Sequence, residues 1–232
     1  MNRAIEPSPS ITASPAARAP ARPVTKSTTR EYVEALIAAL LVALVIRTFV
    51  VQAFKIPSGS MLPTLQIGDH ILVNKLAYGF RVPLPSWSHW DSDGKLLVRF
   101  GLPRPGDVVV FVYPVDRSKD FIKRVVGLPG DVIEIRHKHV FVNGMMRDDP
   151  HAYFADGLDD ERGGTPRDEL PAFTVPPAHV FVMGDNRDRS YDSRFWGFVS
   201  LDDIKGKAFL IYWSWDGQDR WVRWERLGDI VN

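Results

Sequence analysis

The chain has 232 residues, 45% of them hydrophobic and 25% charged, a composition typical of a globular protein with one domain of fair size plus an appendage. Its formal net charge of +1 gives no electrostatic reason to expect a nucleic acid as a partner. The absence of cysteine excludes disulfide bonds, zinc-thiolate sites and thiol nucleophiles, so covalent catalysis would have to use serine, threonine or lysine.

The N-terminal part combines a polar tail with a long apolar run. Residues 1–29 are rich in Pro, Ala, Ser and Arg without apolar periodicity, and are predicted to be a disordered tail. The following run contains no polar residue from Ala35 to Ile46 and reaches the length that a bilayer requires, so residues 30–50 are predicted to form one transmembrane helix. A buried core helix is the alternative interpretation. Bulky residues follow the run, which disfavours a cleaved signal peptide.

The charges around this run predict its orientation. Arg47 lies near the end of the run and is expected to reach the outer membrane interface. Only Lys55 follows closely, whereas several cations precede the run: Arg3, Arg18, Arg22, Lys26 and Arg30. Since positive flanks stay in the cytoplasm, the tail is predicted to be cytoplasmic and residues 51–232 to lie on the other side.

The remainder of the chain shows strand patterns. Short segments rich in β-branched and aromatic residues end at Gly, Pro, Asn or Asp, which favours a mainly β, largely antiparallel domain over residues 51–232. Asn143-Gly144 is predicted to form a two-residue hairpin turn. Two stretches, residues 83–105 and 147–177, lack this pattern and are predicted to be surface insertions.

Three polar segments are candidates for a functional site. The first is "FKIPSGSMLPTLQIGD", in which Ser58 and Ser60 flank a glycine soon after the apolar run. Taken alone, it is most simply a turn. The second is "FIKRVVGLPGD", where strand alternation places Lys123 between Phe121 and Val125 on one face. Such a lysine ordinarily extends its amine to water, but a buried one has a lowered pKa and its neutral amine could act as a general base.

The third segment is the dense polar run "MGDNRDRSYDSRFWG". A calcium loop beginning at Asp185 is disfavoured, because its third position would be the cation Arg187. An ion-pair network explains the run better: Asp192 and Arg194 can pair side by side if the segment is extended, and such a network would hold Ser190 rigidly.

The residues of these segments and their order behind an apolar run resemble the sequence motifs of the type I signal peptidase (leader peptidase) family. The resemblance rests on "SGSM", "GDVVVF", "KRVVGLPGD" and "GDNRDRSYDSRFWG", and covers about residues 49–213. It implies a β-rich catalytic domain with a small inserted β subdomain, carried behind one transmembrane helix. It further implies a bacterial inner membrane enzyme, with its catalytic domain outside the cytoplasm, that removes signal peptides from secretory preproteins with small residues at positions −1 and −3.

The resemblance also implies roles for individual residues. Ser60 matches the family's nucleophile and Lys123 its general base, while the oxyanion hole consists of the Ser60 backbone N–H and the Ser58 hydroxyl. Four further residues match positions that orient the lysine or support the site: Ser190, Asp192, Arg194 and Asp185. No cofactor and no metal are expected.

Other interpretations remain open at this point. His137 and His139 could share a strand face as a weak metal pair, although no third ligand with recognisable spacing accompanies them. The chain could be a membrane-anchored binding domain without catalytic chemistry, in which Ser60 is only a turn residue. A self-cleaving repressor-type peptidase also uses serine and lysine, but it would need a DNA-binding helical domain, and residues 1–29 are too short and unpatterned for one.

Overall fold

The structure is a computed structural model of the chain and describes residues 28–82, 95–157 and 165–232. The predicted disordered tail, residues 1–29, lies almost wholly outside the described residues.

The chain divides into two units, residues 1–40 and 41–232. Helix α1 (Thr28–Val45) continues into a π-helical turn, Ile46–Val50, and together they span 23 residues, long and apolar enough to cross a membrane. None of the α1 side chains is buried, which argues against the core-helix alternative.

The second unit is mainly β, as predicted. The described strands are, in chain order, β1 (Val51–Lys55), β2 (Asp69–Asn74), β3 (Gly79–Val82), β4 (Lys95–Arg99), β5 (Val108–Val112), β6 (Asp120–Gly127), β7 (Val132–Arg136), β8 (His139–Val142), β9 (Met145–Met146), β10 (Leu170–Thr174), β11 (His179–Met183), β12 (Val199–Ser200), β13 (Ile204–Asp216) and β14 (Trp221–Val222). One short helix, α2 (Ser193–Trp196), follows β11.

The main sheet has the strand order β1-β2-β13-β5-β6-β11-β12, with β14 paired to β13. Its pairs are antiparallel. Both faces of the central strand β5 are covered, because Val108 and Val110 belong to one buried apolar cluster while Val109 and Phe111 belong to another. A strand buried on both faces reads as a continuous apolar run, and "VVVFV" has this character. The site described below is built on the strands that flank this core.

A second, four-stranded sheet has the order β10-β7-β8-β9. It forms the small β subdomain, and a third apolar cluster joins it to the main sheet through residues such as Ile133, Phe181 and Met183. The hairpin between β8 and β9 turns at Asn143 and Gly144, both with positive φ, as the sequence predicts.

Part of each stretch predicted to be a surface insertion is β structure. Within residues 83–105, β4 pairs with β3, and within residues 147–177, β10 pairs with β7. β10 contains Pro171 and a register shift between Leu170 and Phe173, and it lies at a sheet edge, where a missing backbone N–H is tolerated. These features mask the strand pattern in the sequence. Residues 83–94 and 158–164 lie outside the described part of the chain.

Candidate active site

Ser60 lies in a short helical turn, Gly59–Met61, in the connection between β1 and β2. Apolar anchors hold this turn on both sides, since Ile56 and Met61 are buried in the first apolar cluster. Ser58 precedes the turn in an extended conformation, and its side chain does not cap the turn. The first N–H groups of a helical turn have no partner within it, so the turn presents the Ser60 N–H together with the Ser60 hydroxyl.

Lys123 on β6 reaches the Ser60 side chain. Its Nζ lies 2.8 Å from Ser60 Oγ and also donates to the carbonyl of Ile122 at 2.8 Å. The predicted alternation of β6 is present, because Phe121 and Val125 pack in one cluster while Ile122 packs in the other. The amine lies 5.5 Å from the centre of the Phe121 ring. β6 therefore brings a lysine to the Ser60 hydroxyl from a position 63 residues away in the chain.

The environment of Lys123 favours its neutral form. Burial lowers the pKa of Lys123 from 10.5 to about 8, with the residue only 4% exposed. The carboxylates of Asp192 and Asp185 raise this pKa in part, and Arg194 opposes them. Neutral amine is consequently available close to neutral pH, and a neutral amine can accept a proton from the hydroxyl beside it.

A buried ion pair beneath the site joins β6 to the residues after β11. Arg124 faces away from Lys123 and binds Asp185 through two contacts of 2.7 Å. Thr64, which follows the Ser60 turn, donates to the same carboxylate at 2.5 Å. Arg124 also donates to the carbonyl of Gly106 at 2.7 Å. Asp185 thus ties the nucleophile's connection to the strand that carries the lysine.

Asp192 and Arg194 form a second buried ion pair, with Arg194 Nη2 2.8 Å from Asp192 Oδ2. The segment is not extended here: Asp192 caps α2 by accepting from the Arg194 N–H, and it accepts from the Gly184 N–H at 3.0 Å. Burial raises the pKa of Asp192, but the charge and hydrogen bonds of Arg194 outweigh this effect and the pKa is lowered overall. Asp192 is therefore a carboxylate at working pH.

Ser190 is fully buried, and its hydroxyl lies near the Asp192 carboxylate, where it helps to lower the pKa of Asp192. The Lys123 amine bonds to Ser60 and Ile122 rather than to Ser190. The hydroxyl nevertheless lies close to the site, because a Cβ placed on Gly184 would contact both Ser190 Oγ and the carbonyl oxygen of Ser60. The region after β11 accordingly packs directly against the nucleophile's backbone.

A cleft of about 540 Å³ opens beside Ser60 and Lys123. It is lined by Ser58, Ser60 and Lys123, by apolar side chains such as Leu62 and Ile122, and by Asn186, Arg189 and Tyr191. The cleft brings the Ser60 hydroxyl, the Lys123 amine and the Ser58 hydroxyl to one surface that can receive an extended peptide.

Two residues of the site were not assigned roles from the sequence. Arg124 is the partner of Asp185, and Asn186 contacts the backbone carbonyl groups on both sides of the Ser60 Cα. Strand alternation places Arg124 on the face opposite Lys123, but no pattern in the chain reveals which carboxylate it meets.

The two histidines do not share a strand face. His137 lies in the turn before β8 with a φ of 49°, whereas His139 begins the strand, so the shared strand face on which the alternative metal pair depended is absent. His137 lies instead 3.4 Å from Glu169. Within residues 28–82, 95–157 and 165–232, no group of three or more His, Cys, Asp or Glu side chains is placed to hold a metal ion.

The chain is similar in sequence to known proteins of one family. A family model described as "Signal peptidase, peptidase S26" matches residues 29–213. Signal peptidase I of Pseudomonas fluorescens is 39% identical over 214 residues, covering 80% of this chain and 72% of the relative. The Pseudomonas aeruginosa protein of the same name is 40% identical with the same coverage. A crystal structure of a signal peptidase I from Enterococcus faecalis matches with a TM-score of 0.36 and 28% identity, covering 45% of this chain and 95% of that one.

Proposed function

This chain belongs to the signal peptidase I family, peptidase S26, and we propose that Ser60 and Lys123 carry out its peptide-bond hydrolysis. As a member of the family it is a serine endopeptidase that removes signal peptides from preproteins. The observation that carries the assignment is the 2.8 Å contact between Lys123 Nζ and Ser60 Oγ at a buried lysine of lowered pKa. Nucleophile and base within hydrogen-bond reach are the arrangement that covalent catalysis requires.

Acylation follows from this contact. The neutral amine of Lys123 takes the hydroxyl proton of Ser60, and Ser60 Oγ forms a bond to the scissile carbonyl carbon. The carbonyl oxygen becomes an oxyanion, which the Ser60 N–H and the Ser58 hydroxyl stabilise. When the tetrahedral intermediate collapses, the C–N bond breaks and the protonated amine of Lys123 gives its proton to the leaving nitrogen.

Deacylation uses the same groups. The signal peptide is now held as an ester on Ser60 Oγ, and the mature protein has left with a new N-terminus. Lys123, again neutral, accepts a proton from the attacking water, whose oxygen bonds to the ester carbon. Collapse breaks the ester bond, returns the proton to Ser60 Oγ and releases the signal peptide as a carboxylic acid.

The supporting residues fix the position of the base, Lys123, relative to the nucleophile, Ser60. Asp185 binds Arg124 and Thr64, and Asp192 binds Arg194 and the Gly184 N–H, so both carboxylates brace the backbone around the dyad. Ser190 fills the buried space beside Gly184 and the Ser60 backbone. Its proposed role in orienting the lysine amine rests on its match to the family's serine at this position.

The proposed substrates have small side chains at positions −1 and −3 before the cut. The apolar side chains of Leu62 and Ile122 line the cleft that contains Ser60, which supports binding of apolar rather than charged side chains there. The proposed preference for small side chains rests on the family resemblance. A panel of preproteins that varies these two positions, assayed for cleavage, tests the preference. Equal cleavage of large and small side chains would contradict it.

Signal peptidase I relatives are membrane-anchored, and this chain carries one N-terminal apolar helix. The domain organisation we propose is a cytoplasmic tail (1–29), a single span (30–50) in the bacterial inner membrane and an extracytoplasmic peptidase domain (51–232). Ser60 comes ten residues after Val50, the last residue of the apolar helical segment. This short connection supports cleavage of a substrate that is itself still in the bilayer.

Replacement of Ser60 tests the assignment against the alternative of an anchored binding domain. Detergent-solubilised protein is incubated with a preprotein, and product is followed by gel. Processing should disappear in Ser60→Ala and in Lys123→Ala, whereas Lys119→Ala, which changes an exposed lysine in the same hairpin, should process normally. Normal processing by either dyad variant would overturn the mechanism.

A further inference from the structure

Asn186 contacts the turn that carries Ser60 at two points. Its side-chain Nδ2 donates to the carbonyl oxygen of Gly59 at 3.2 Å, and its backbone N–H donates to the carbonyl oxygen of Ser60 at 3.1 Å. The residue is only 2% exposed and lines the cleft. Asn186 therefore holds the carbonyl groups on both sides of the Ser60 Cα.

The first contact acts on one peptide unit. Gly59 C=O and Ser60 N–H belong to the same peptide group, which is trans, and in a planar trans peptide these two groups point in opposite directions. A hydrogen bond that fixes the carbonyl direction consequently fixes the direction of the N–H as well. That N–H is the backbone donor of the proposed oxyanion hole.

The contact also affects the strength of the donor. Gly59 O accepts a second hydrogen bond, from the Leu62 N–H at 3.3 Å, so the Asn186 bond fills its remaining acceptor direction. Hydrogen bonds in a chain polarise one another, and a peptide whose carbonyl accepts two bonds presents a more positive N–H. Asn186 thus both aims the Ser60 N–H and strengthens it.

Asn186 is itself held rigidly. Tyr153 forms a bridge with it: the Tyr153 N–H donates to the carbonyl of Asp185 at 2.7 Å, and the Arg187 N–H donates to the carbonyl of Tyr153 at 2.8 Å. Asp185, the residue before it, is fixed by its buried pair with Arg124. A residue braced on both sides can hold a catalytic peptide in place without moving during the reaction.

We propose that Asn186 is a positioning residue that orients and polarises the Gly59–Ser60 peptide for oxyanion stabilisation. This inference rests on the proposed role of Ser60 as the nucleophile. Because the peptide binds the developing oxyanion, Asn186 contributes to the transition state more than to the bound substrate. The loss caused by its removal should appear in kcat and leave KM nearly unchanged.

The test compares Asn186→Ala with the unchanged enzyme in a continuous peptide-cleavage assay. We expect kcat to fall about tenfold to hundredfold, less than the loss of an oxyanion donor itself. KM and the rising limb of the pH-rate profile should stay unchanged, because Lys123 is untouched. A substrate-like peptide ending in a boronic acid, which forms a tetrahedral adduct with Ser60 Oγ, should lose affinity by the same factor as kcat, while an uncleavable peptide should bind as before.

Two further variants separate positioning from folding. Ser193→Ala removes a buried side-chain bond to the backbone N–H of Val182 in the same region, and should lower the melting temperature without changing kcat. Asn186→Asp keeps the size of the side chain but replaces the donor with an oxygen facing Gly59 O, and should lose at least as much kcat as the alanine variant.

Several outcomes would overturn the inference. It fails if Asn186→Ala keeps kcat within twofold, if boronate and uncleavable peptide lose affinity equally, or if neither Asn186 variant folds, since Asn186 would then serve the fold alone. Ser60→Ala distinguishes this failure from that of the proposed function. Processing that survives in Ser60→Ala defeats the nucleophile assignment, whereas an inactive Ser60→Ala beside a normal Asn186→Ala defeats only the positioning role.

Discussion

Arg124 and Asp185 form a two-point ion pair inside the protein, with both contacts at 2.7 Å and side-chain exposures of 1% and 0%. Removing one partner of such a pair leaves the other charge buried without compensation. Arg124→Ala should therefore reduce the free energy of unfolding by about 3–5 kcal/mol, measured by chemical denaturation in detergent. Lys119→Ala, which breaks an exposed pair with Asp116, should change it by less than about 1 kcal/mol.

The double variant Arg124→Met, Asp185→Leu tests the reason for this loss. Two apolar side chains carry no unpaired charge, so most of the stability should return. If the double variant is as unstable as Arg124→Ala, the unpaired carboxylate is not the cause.

The activity should depend on pH through Lys123. Only the neutral amine accepts the Ser60 proton, and burial lowers the pKa of Lys123 to about 8, so kcat/KM should rise as the pH increases through about 8 rather than through 10.5. Lys123→Arg should be inactive at every pH tested, because a guanidinium stays protonated. A rising limb near 6.5 that persists in Lys123→Ala would point to a histidine base instead.

Ser58→Ala should lower kcat about 10²- to 10³-fold, because it removes one oxyanion donor while the Ser60 N–H remains. The Ser58 side chain makes no capping bond to the helical turn, so its loss should leave the fold intact. Ser58→Thr keeps the hydroxyl and should keep most of the rate. Steady-state kinetics of the two variants decides the point, and equal losses would argue against a role for the hydroxyl.

Gly184→Ala should lose at least about 10²-fold in rate for a steric reason. A Cβ at this position would collide with the carbonyl oxygen of Ser60 and with the Ser190 side chain, and a small displacement of a nucleophile costs about 10²-fold in rate. Gly101→Ala is the matched control, because a Cβ there meets no atom within 4 Å. Normal cleavage by Gly184→Ala would show that the nucleophile's backbone tolerates movement.

The orientation of the chain can be tested with a protease added outside sealed spheroplasts. The cations before the apolar run predict that a tag on Met1 is protected while the region after Val51 is degraded. Detergent lysis should expose the tag to the protease. A protected catalytic region with a cleaved tag would reverse the proposed topology.

The position of Lys123 on an apolar strand face could be predicted, because strand alternation is a local property and Phe121 and Val125 lie two residues to either side on that face. Whether the amine is buried or reaches water could not be decided from this pattern. The geometry of Asp192 and Arg194 could not. Their pairing was expected on an extended segment, whereas Asp192 caps α2, a helix of four residues and too short for periodicity to show in the sequence.

Contacts between distant parts of the chain were beyond prediction from the residues alone. Asn186 meets Gly59 across 127 positions, and Arg124 meets Asp185 across 61. Contacts at such large sequence separations produce no periodic pattern in the sequence, because they depend on how the strands are ordered in the sheet. β10 escaped prediction for a related reason, since its pairing with β7 compensates for a proline and a register shift that obscure its own pattern.

The position of β13 in the main sheet should delay the onset of activity in a newly synthesised chain. β13 lies between β2 and β5, so among the described strands it alone pairs both with the half of the main sheet next to the Ser60 turn and with the half that contains the Lys123 strand. We expect a nascent chain to lack activity until Ile204–Asp216 has been synthesised and has paired with β2 and β5. A chain stalled before Ile204 during synthesis would expose its serine and lysine but leave neighbouring preproteins uncut, and cleavage by such a stalled chain would refute this order of events.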